Sequence, residues 1–194
     1  MPLKGAAVSK RRNNLFAFCV IALSVTTAAV LAATLLSHLS SSEKGQVAGK
    51  KAVSSLSGSF SFTADVTLDG TAYEVKFNKP VSGDSTMKFV KPEDLSILSF
   101  SKGDDGIKVK LDSLEATVDA STIPQSSVFN AILGSFETCV SKSVNAKAQG
   151  KDIILSGSSA AGEFTMAFDS SMKPKSLSVP TLKLTANFKD FKYT

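Results

Sequence analysis

SFSFTADVTLDGTAYEVKFNKP, Ser59 to Pro80, decides the fold. Phe60, Phe62, Ala64, Val66 and Leu68 fall on one face of an extended chain. Ser61, Thr63, Asp65 and Thr67 fall on the other. A period of two with one apolar face is the pattern of a half-buried strand. Asp69-Gly70 then reads as a tight hairpin turn, because both positions tolerate the left-handed backbone that such turns need. Tyr73, Val75 and Phe77 resume the alternation until Pro80, which has no N–H to pair.

Working outward, the same grammar repeats. STMKFVKP is a short strand closed by Pro92. LSILSF runs into the turn cluster SKGDDG, and GIKVKLD follows with Ile107, Val109 and Leu111 alternating. LEATVD is another short strand. SSVFNAILGSFE breaks the pattern: Val128, Phe129, Ile132, Leu133 and Phe136 have helical spacing, with Ser126 or Ser127 as N-cap. Strands return at SVNAKAQ, DIILSGS, EFTMAFD and SLSVP. In LKLTANFKDFKYT, Leu182, Leu184, Ala186 and Phe188 hold one phase while Phe191 and Tyr193 hold the other, which predicts a bulge near Lys189-Asp190. The alternation predicts a mainly β (α+β) domain. It is a single strongly curved antiparallel sheet, or half-barrel, packed on one or two helices, with one wet face.

Toward the N-terminus, Leu15 to Leu36 carries no charge. About 20 helical residues cross a hydrocarbon core, and a secretion-signal core is usually shorter, about 7–15 residues. Lys4, Lys10, Arg11 and Arg12 precede the run with no acidic residue among them, so they remain inside and Ser37 onward crosses. Val30-Leu31-Ala32 before Ala33 is a poor cleavage site. The expected order is a basic cytoplasmic tail (1–14), a single transmembrane signal-anchor or signal peptide (15–36), a polar stalk (37–56) with a helical stretch around Gln46 to Ser54, and an extracytoplasmic domain (57–194). Either fate of the segment places the domain outside, on the cell membrane if anchored and secreted if cleaved. Cys19 follows Phe18 rather than a small residue and lacks an upstream apolar core, so it is not a lipoprotein cysteine. Cys139 reads as a small buried hydrophobe.

The formal charge of +5 falls to +1 once the four N-terminal cations are removed. The body then has no basic excess of the kind a nucleic-acid interface needs. His38 is the only histidine, which excludes Ser-His-Asp and Cys-His catalysis. Ser41-Ser42-Glu43-Lys44 and Ser170-Ser171-Met172-Lys173 match S-x-x-K without its companion motifs. Asp104-Asp105 sits in a Gly-flanked turn with too few oxygens for calcium. Glu93-Asp94 starts a helical turn without catalytic partners. No metal, cofactor or enzyme activity is expected.

Lys79-Pro80 ends one strand and Lys91-Pro92 the next, ahead of a short strand and a Gly-Asp turn. This layout resembles the bacterial lipoprotein-carrier (LolA/LolB-like) superfamily over Ser57 to Thr194. The resemblance implies a curved half-barrel closed by helices, with an apolar cavity for a lipid or acyl chain. Carrier proteins commonly place tryptophans in these strands and use an arginine latch; this chain has no Trp, and no Arg after Arg12. Phe60, Phe62, Tyr73, Val75, Phe77, Phe89, Phe100, Phe164 and Phe168 are the candidate cavity lining. Core packing explains the same phenylalanines equally well by period. Two functions therefore stand: an anchored domain binding an apolar ligand, or a filled-core structural or protein-interaction domain.

Overall fold

The structure is a computed structural model describing residues 45–103, 106–117, 125–141 and 144–194. The run Leu15 to Leu36, its basic flank, His38, the first Ser-x-x-Lys and Asp104-Asp105 lie outside them. Among the described residues no helix is long and apolar enough to cross a membrane.

A helix, α1, covers residues 45–55. Strands β1 (Phe60–Leu68), β2 (Thr71–Lys79), β3 (Ser85–Lys91), β4 (Leu98–Gly103), β5 (Gly106–Leu111) and β6 (Leu114–Thr117) follow, then helix α2 (Ser126–Ser141). Strands β7 (Asn145–Gln149), β8 (Asp152–Ser159), β9 (Gly162–Phe168), β10 (Pro174–Val179) and β11 (Leu184–Tyr193) complete the chain, with short 3-10 turns at Glu93–Leu95 and Pro180–Leu182. All eleven strands form one sheet in the order β6-β5-β4-β3-β2-β1-β11-β10-β9-β8-β7. Every neighbouring pair is antiparallel. The sheet is open, with β6 and β7 as its edges.

The opening stretch folds as its pattern requires. β1 and β2 pair from Phe60↔Lys79 to Leu68↔Thr71. The turn between them has positive φ at both Asp69 (45°) and Gly70 (84°), the geometry that matches strand twist in two-residue hairpins. The expected bulge is present: the β1–β11 register slips between Ser61 and Thr63, opposite Lys192 and Lys189. Asp190 absorbs it at φ 51°. Two expectations shift in detail. Leu95 belongs to the Glu93–Leu95 3-10 turn, so β4 starts only at Leu98. Helix α2 starts at Ser126, so Ser126 and Ser127 are its first residues rather than its cap.

Curvature follows from what the helices reach. Laid flat, β4 and β8 would stand seven strand spacings apart, about 34 Å. Phe129 of α2 stacks on Phe100 of β4 at 6.0 Å. Five residues on, about 7.5 Å along the helix, a methyl on Gly134 would touch Ser159 of β8 at 3.7 Å. Only a sheet curled around α2 presents both strands to it. The core lies inside this curl. Ala52 and Leu56, at the end of α1, are fully buried in it, so the helical stretch expected around Gln46 to Ser54 forms and helps cover the sheet.

Candidate functional site

The concave face is the site that the sequence nominates. Phe60, Phe62, Val75, Phe77, Phe89, Phe100, Phe164 and Phe168 are buried there, and Tyr73 is half-buried at the margin. Alternation puts them on one face, and curvature turns that face inward.

Helix α2 occupies the centre of the curl. The Phe136 ring lies 4.9 Å from Phe60, 5.8 Å from Phe62 and 5.6 Å from Phe188. It also neighbours Phe77 and Phe191 at 6.4 Å and 6.3 Å. Phe129 bridges Phe77 and Phe100. Four of the nine nominated side chains thus belong to one ring cluster with α2 and β11. Phe89 joins it through Phe100 and carries Tyr73 edge-on at 5.4 Å. Phe164 and Phe168 stand apart on β9. The Phe164 ring covers Gly157, where an added methyl would come within 3.0 Å of it.

Two residues central to this face, Phe129 and Phe136, are absent from the nominated lining. Their helical spacing was legible, but not the strands they would meet. Lys102 donates to both carboxylate oxygens of Glu137, at 3.0 and 2.9 Å, tying β4 to α2. Burial pushes the Cys139 thiol up to about 12, so it stays protonated at neutral pH and is no nucleophile.

At one end the cover stops. The concave face continues through Leu98 and Phe100 of β4, Ile107, Val109 and Leu111 of β5, and Leu114 and Ala116 of β6. Register sets Leu98 against Leu111, Leu111 against Leu114, and Val109 against Ala116. Leu98 and Phe100 are buried and Ile107 and Val109 half-buried, but Leu111 is 46% and Leu114 72% exposed.

The remaining sequence candidates among the described residues lie in turns. Ser170-Ser171-Met172-Lys173 forms the β9–β10 turn, where Asp169 Oδ1 accepts from the Ser171 and Lys173 amides. Glu93-Asp94 opens a 3-10 turn. Among the described residues no group of three or more His, Cys, Asp or Glu is placed to hold a metal ion.

No protein-family model matches the chain, and no curated protein matches it. Solved structures do. An uncharacterized conserved protein from Thermus thermophilus is similar at 12% identity, covering 78% of this chain and 88% of that one, with a TM-score of 0.48. A DUF1329 family protein from Desulfovibrio piger is similar at 11% identity, with 79% and 93% covered and a TM-score of 0.40. A LolA superfamily protein from Nitrosomonas europaea is similar at 7% identity, with 75% and 93% covered and a TM-score of 0.38. The similar structures thus include a member of the LolA superfamily.

Proposed function

We propose that the domain binds a lipid acyl chain or similar apolar ligand at the β4–β5–β6 end of its concave face, displayed outside the membrane by Leu15 to Leu36. One observation carries this reading. The apolar face is continuous, yet Leu111 and Leu114 remain largely exposed where α2 no longer covers it. An acyl chain laid on this strip gains about 25 cal/mol per Å² of apolar area removed from water. Such binding discriminates little between chains of similar length.

The second reading is a filled-core interaction domain. It draws on Phe129 and Phe136, which fill the centre of the curl and leave the nominated lining packed against protein. The core runs from Ala52 to Phe191, so a chain starting at residue 37 retains all of it. That chain is expected to carry co-purifying lipid in native mass spectrometry and to take up a fluorescent fatty acid. Leu114→Asp should cut uptake several-fold with little change in stability. A clean apo mass without uptake would leave the interaction reading standing. For the anchor, sequencing of the mature N-terminus should find the segment retained; a start at Ala33 would overturn it.

A further inference from the structure

The opposite, polar face of the sheet holds a trough of about 820 Å³. Two neighbouring cross-strand rows form it. One runs Lys192, Ser61, Asn78, Thr86, Ser101, Lys108 from β11 to β5. The other runs Thr63, Lys76, Lys88, Ser99, Lys110, Glu115 from β1 to β6. Two rows are about 7 Å wide, and the seven strands from β11 to β6 span about 29 Å. The trough is therefore long and narrow.

Its charge is unbalanced. Five lysines line it against two acids, Glu115 and Asp190. Lys76 and Lys88 stand directly opposite each other, an arrangement that costs stability in a sheet. The acids one row away are engaged elsewhere, Glu74 with Lys91 and Asp65 with Lys189. Glu115 reaches only Lys108, at 4.0 Å. Among the described residues, Lys76, Lys88, Lys110 and Lys192 make no ion pair. The near-neutral body thus places five lysines along one trough, which sequence order conceals because they come from four strands.

The pattern along the trough selects the ligand. Cations stand at the β11 end, at β2–β3 and at β5, about 10 Å apart. Hydroxyls fill the strands between them: Ser61 and Thr63 on β1, Ser99 and Ser101 on β4. The three rings bordering the trough, Phe62, Phe77 and Phe100, belong to side chains buried on the other face, so base stacking of the kind single-stranded nucleic acids use has no platform. A narrow trough also suits an extended chain better than a flat membrane surface. We infer that this face binds an acidic polysaccharide, a linear polymer whose carboxylates alternate with neutral, hydroxyl-bearing sugars. The inference stands on the polar face and is independent of apolar binding on the other.

The test uses the full chain in a neutral detergent and fluorescein-labelled hyaluronan oligosaccharides, read by polarisation. Binding is expected at 50 mM salt and should weaken steeply by 200 mM, as counterions compete for the lysines. The double variant Lys76→Ala/Lys88→Ala should lose about tenfold in affinity while melting no lower than the parent, since it removes a like-charge pair. Lys147→Ala/Lys151→Ala, on and beside β7, should bind as the parent does. The inference is overturned by absence of binding at low salt, or by unchanged affinity in the Lys76/Lys88 variant. Equal or tighter binding of a single-stranded oligonucleotide or of phosphatidylglycerol vesicles would overturn it too.

Discussion

Gly49 of α1 rests on Ala146 of β7 so closely that a methyl on Gly49 would lie 2.2 Å from the Ala146 Cβ. One turn earlier, a methyl on Gly45 would lie 2.9 Å from the Ala148 amide nitrogen. Glycine at both positions lets the helix backbone settle onto an edge strand. In an isolated helix Gly49→Ala would stabilise by about 1 kcal/mol. Here the new Cβ meets a Cβ fixed to a strand, so one element must move, and overpacking of this kind costs about 1–3 kcal/mol. Gly49→Ala should therefore lower the midpoint of chemical denaturation. Gly49→Ala/Ala146→Gly should recover most of the loss, and an additive double variant would show that the contact is not the cause.

Phe136 is the ring around which the curl closes, with Phe60, Phe62, Phe77, Phe188 and Phe191 all within 6.4 Å of it. Phe136→Ala should cost about 3–5 kcal/mol, the range for a buried Phe truncated in a core. Urea titration followed by circular dichroism measures it. If the space it vacates is accessible from the β4–β6 end, fatty-acid uptake by this variant should rise above the parent's, which distinguishes a plugged cavity from a core that collapses.

The strands were legible because a wet antiparallel sheet writes its pairing into alternation, as at Phe60 to Leu68, and its turns into residues such as Asp69-Gly70. The Lys189-Asp190 bulge was legible because it reverses the phase of Phe191 against Phe188. Neighbour order was not, since nothing local in Ser61 to Thr63 says that β1 pairs with the last strand of the chain. For the same reason the nominated phenylalanines follow from alternation alone, yet their partner Phe136 and the lysine row Lys76–Lys88 depend on strand order. Gly45 and Gly49 read as stalk composition; their role appears only once β7 lies beneath them.

Cys139 is fully buried on α2, and burial holds its thiol near 12. The thiolate is the reactive form. At pH 8 labelling by an aromatic disulfide reagent should therefore be slow in the native protein and rapid in denaturant, with a native rate that tracks unfolding. Fast native labelling at that position would mean that α2 detaches readily. The thiol pKa is raised from 9.0, so its stability contribution is complete below about pH 9 and declines above it as unfolded chains gain by ionising.

Tyr193 closes the chain onto α1. Its hydroxyl donates to the Met172 carbonyl and lies 2.9 Å from Ser55 Oγ, linking β11, the β9–β10 turn and the helix. Burial raises its pKa above 10.0, with the Ser55 hydrogen bond pulling the other way and Asp169 adding to the rise. A raised tyrosine pKa favours the neutral form in the fold. Its contribution is therefore whole below about pH 10 and falls as pH climbs from there toward the folded value. Lys183 and Lys189, raised by hydrogen bonds to Asp69 and Asp65, lose their contributions above about pH 10.5 in the same sense. Thermal midpoints should therefore drop for the parent between pH 9 and 11. Tyr193→Phe should melt lower at pH 8 by the equivalent of about 1 kcal/mol, the net worth of a typical hydrogen bond. The two curves should then converge as pH rises, because the lysines and Cys139 are common to both and only the tyrosine differs. A gap that stays constant to pH 11 would show that the hydroxyl titrates alike in the folded and unfolded chain, so that burial does not raise its pKa.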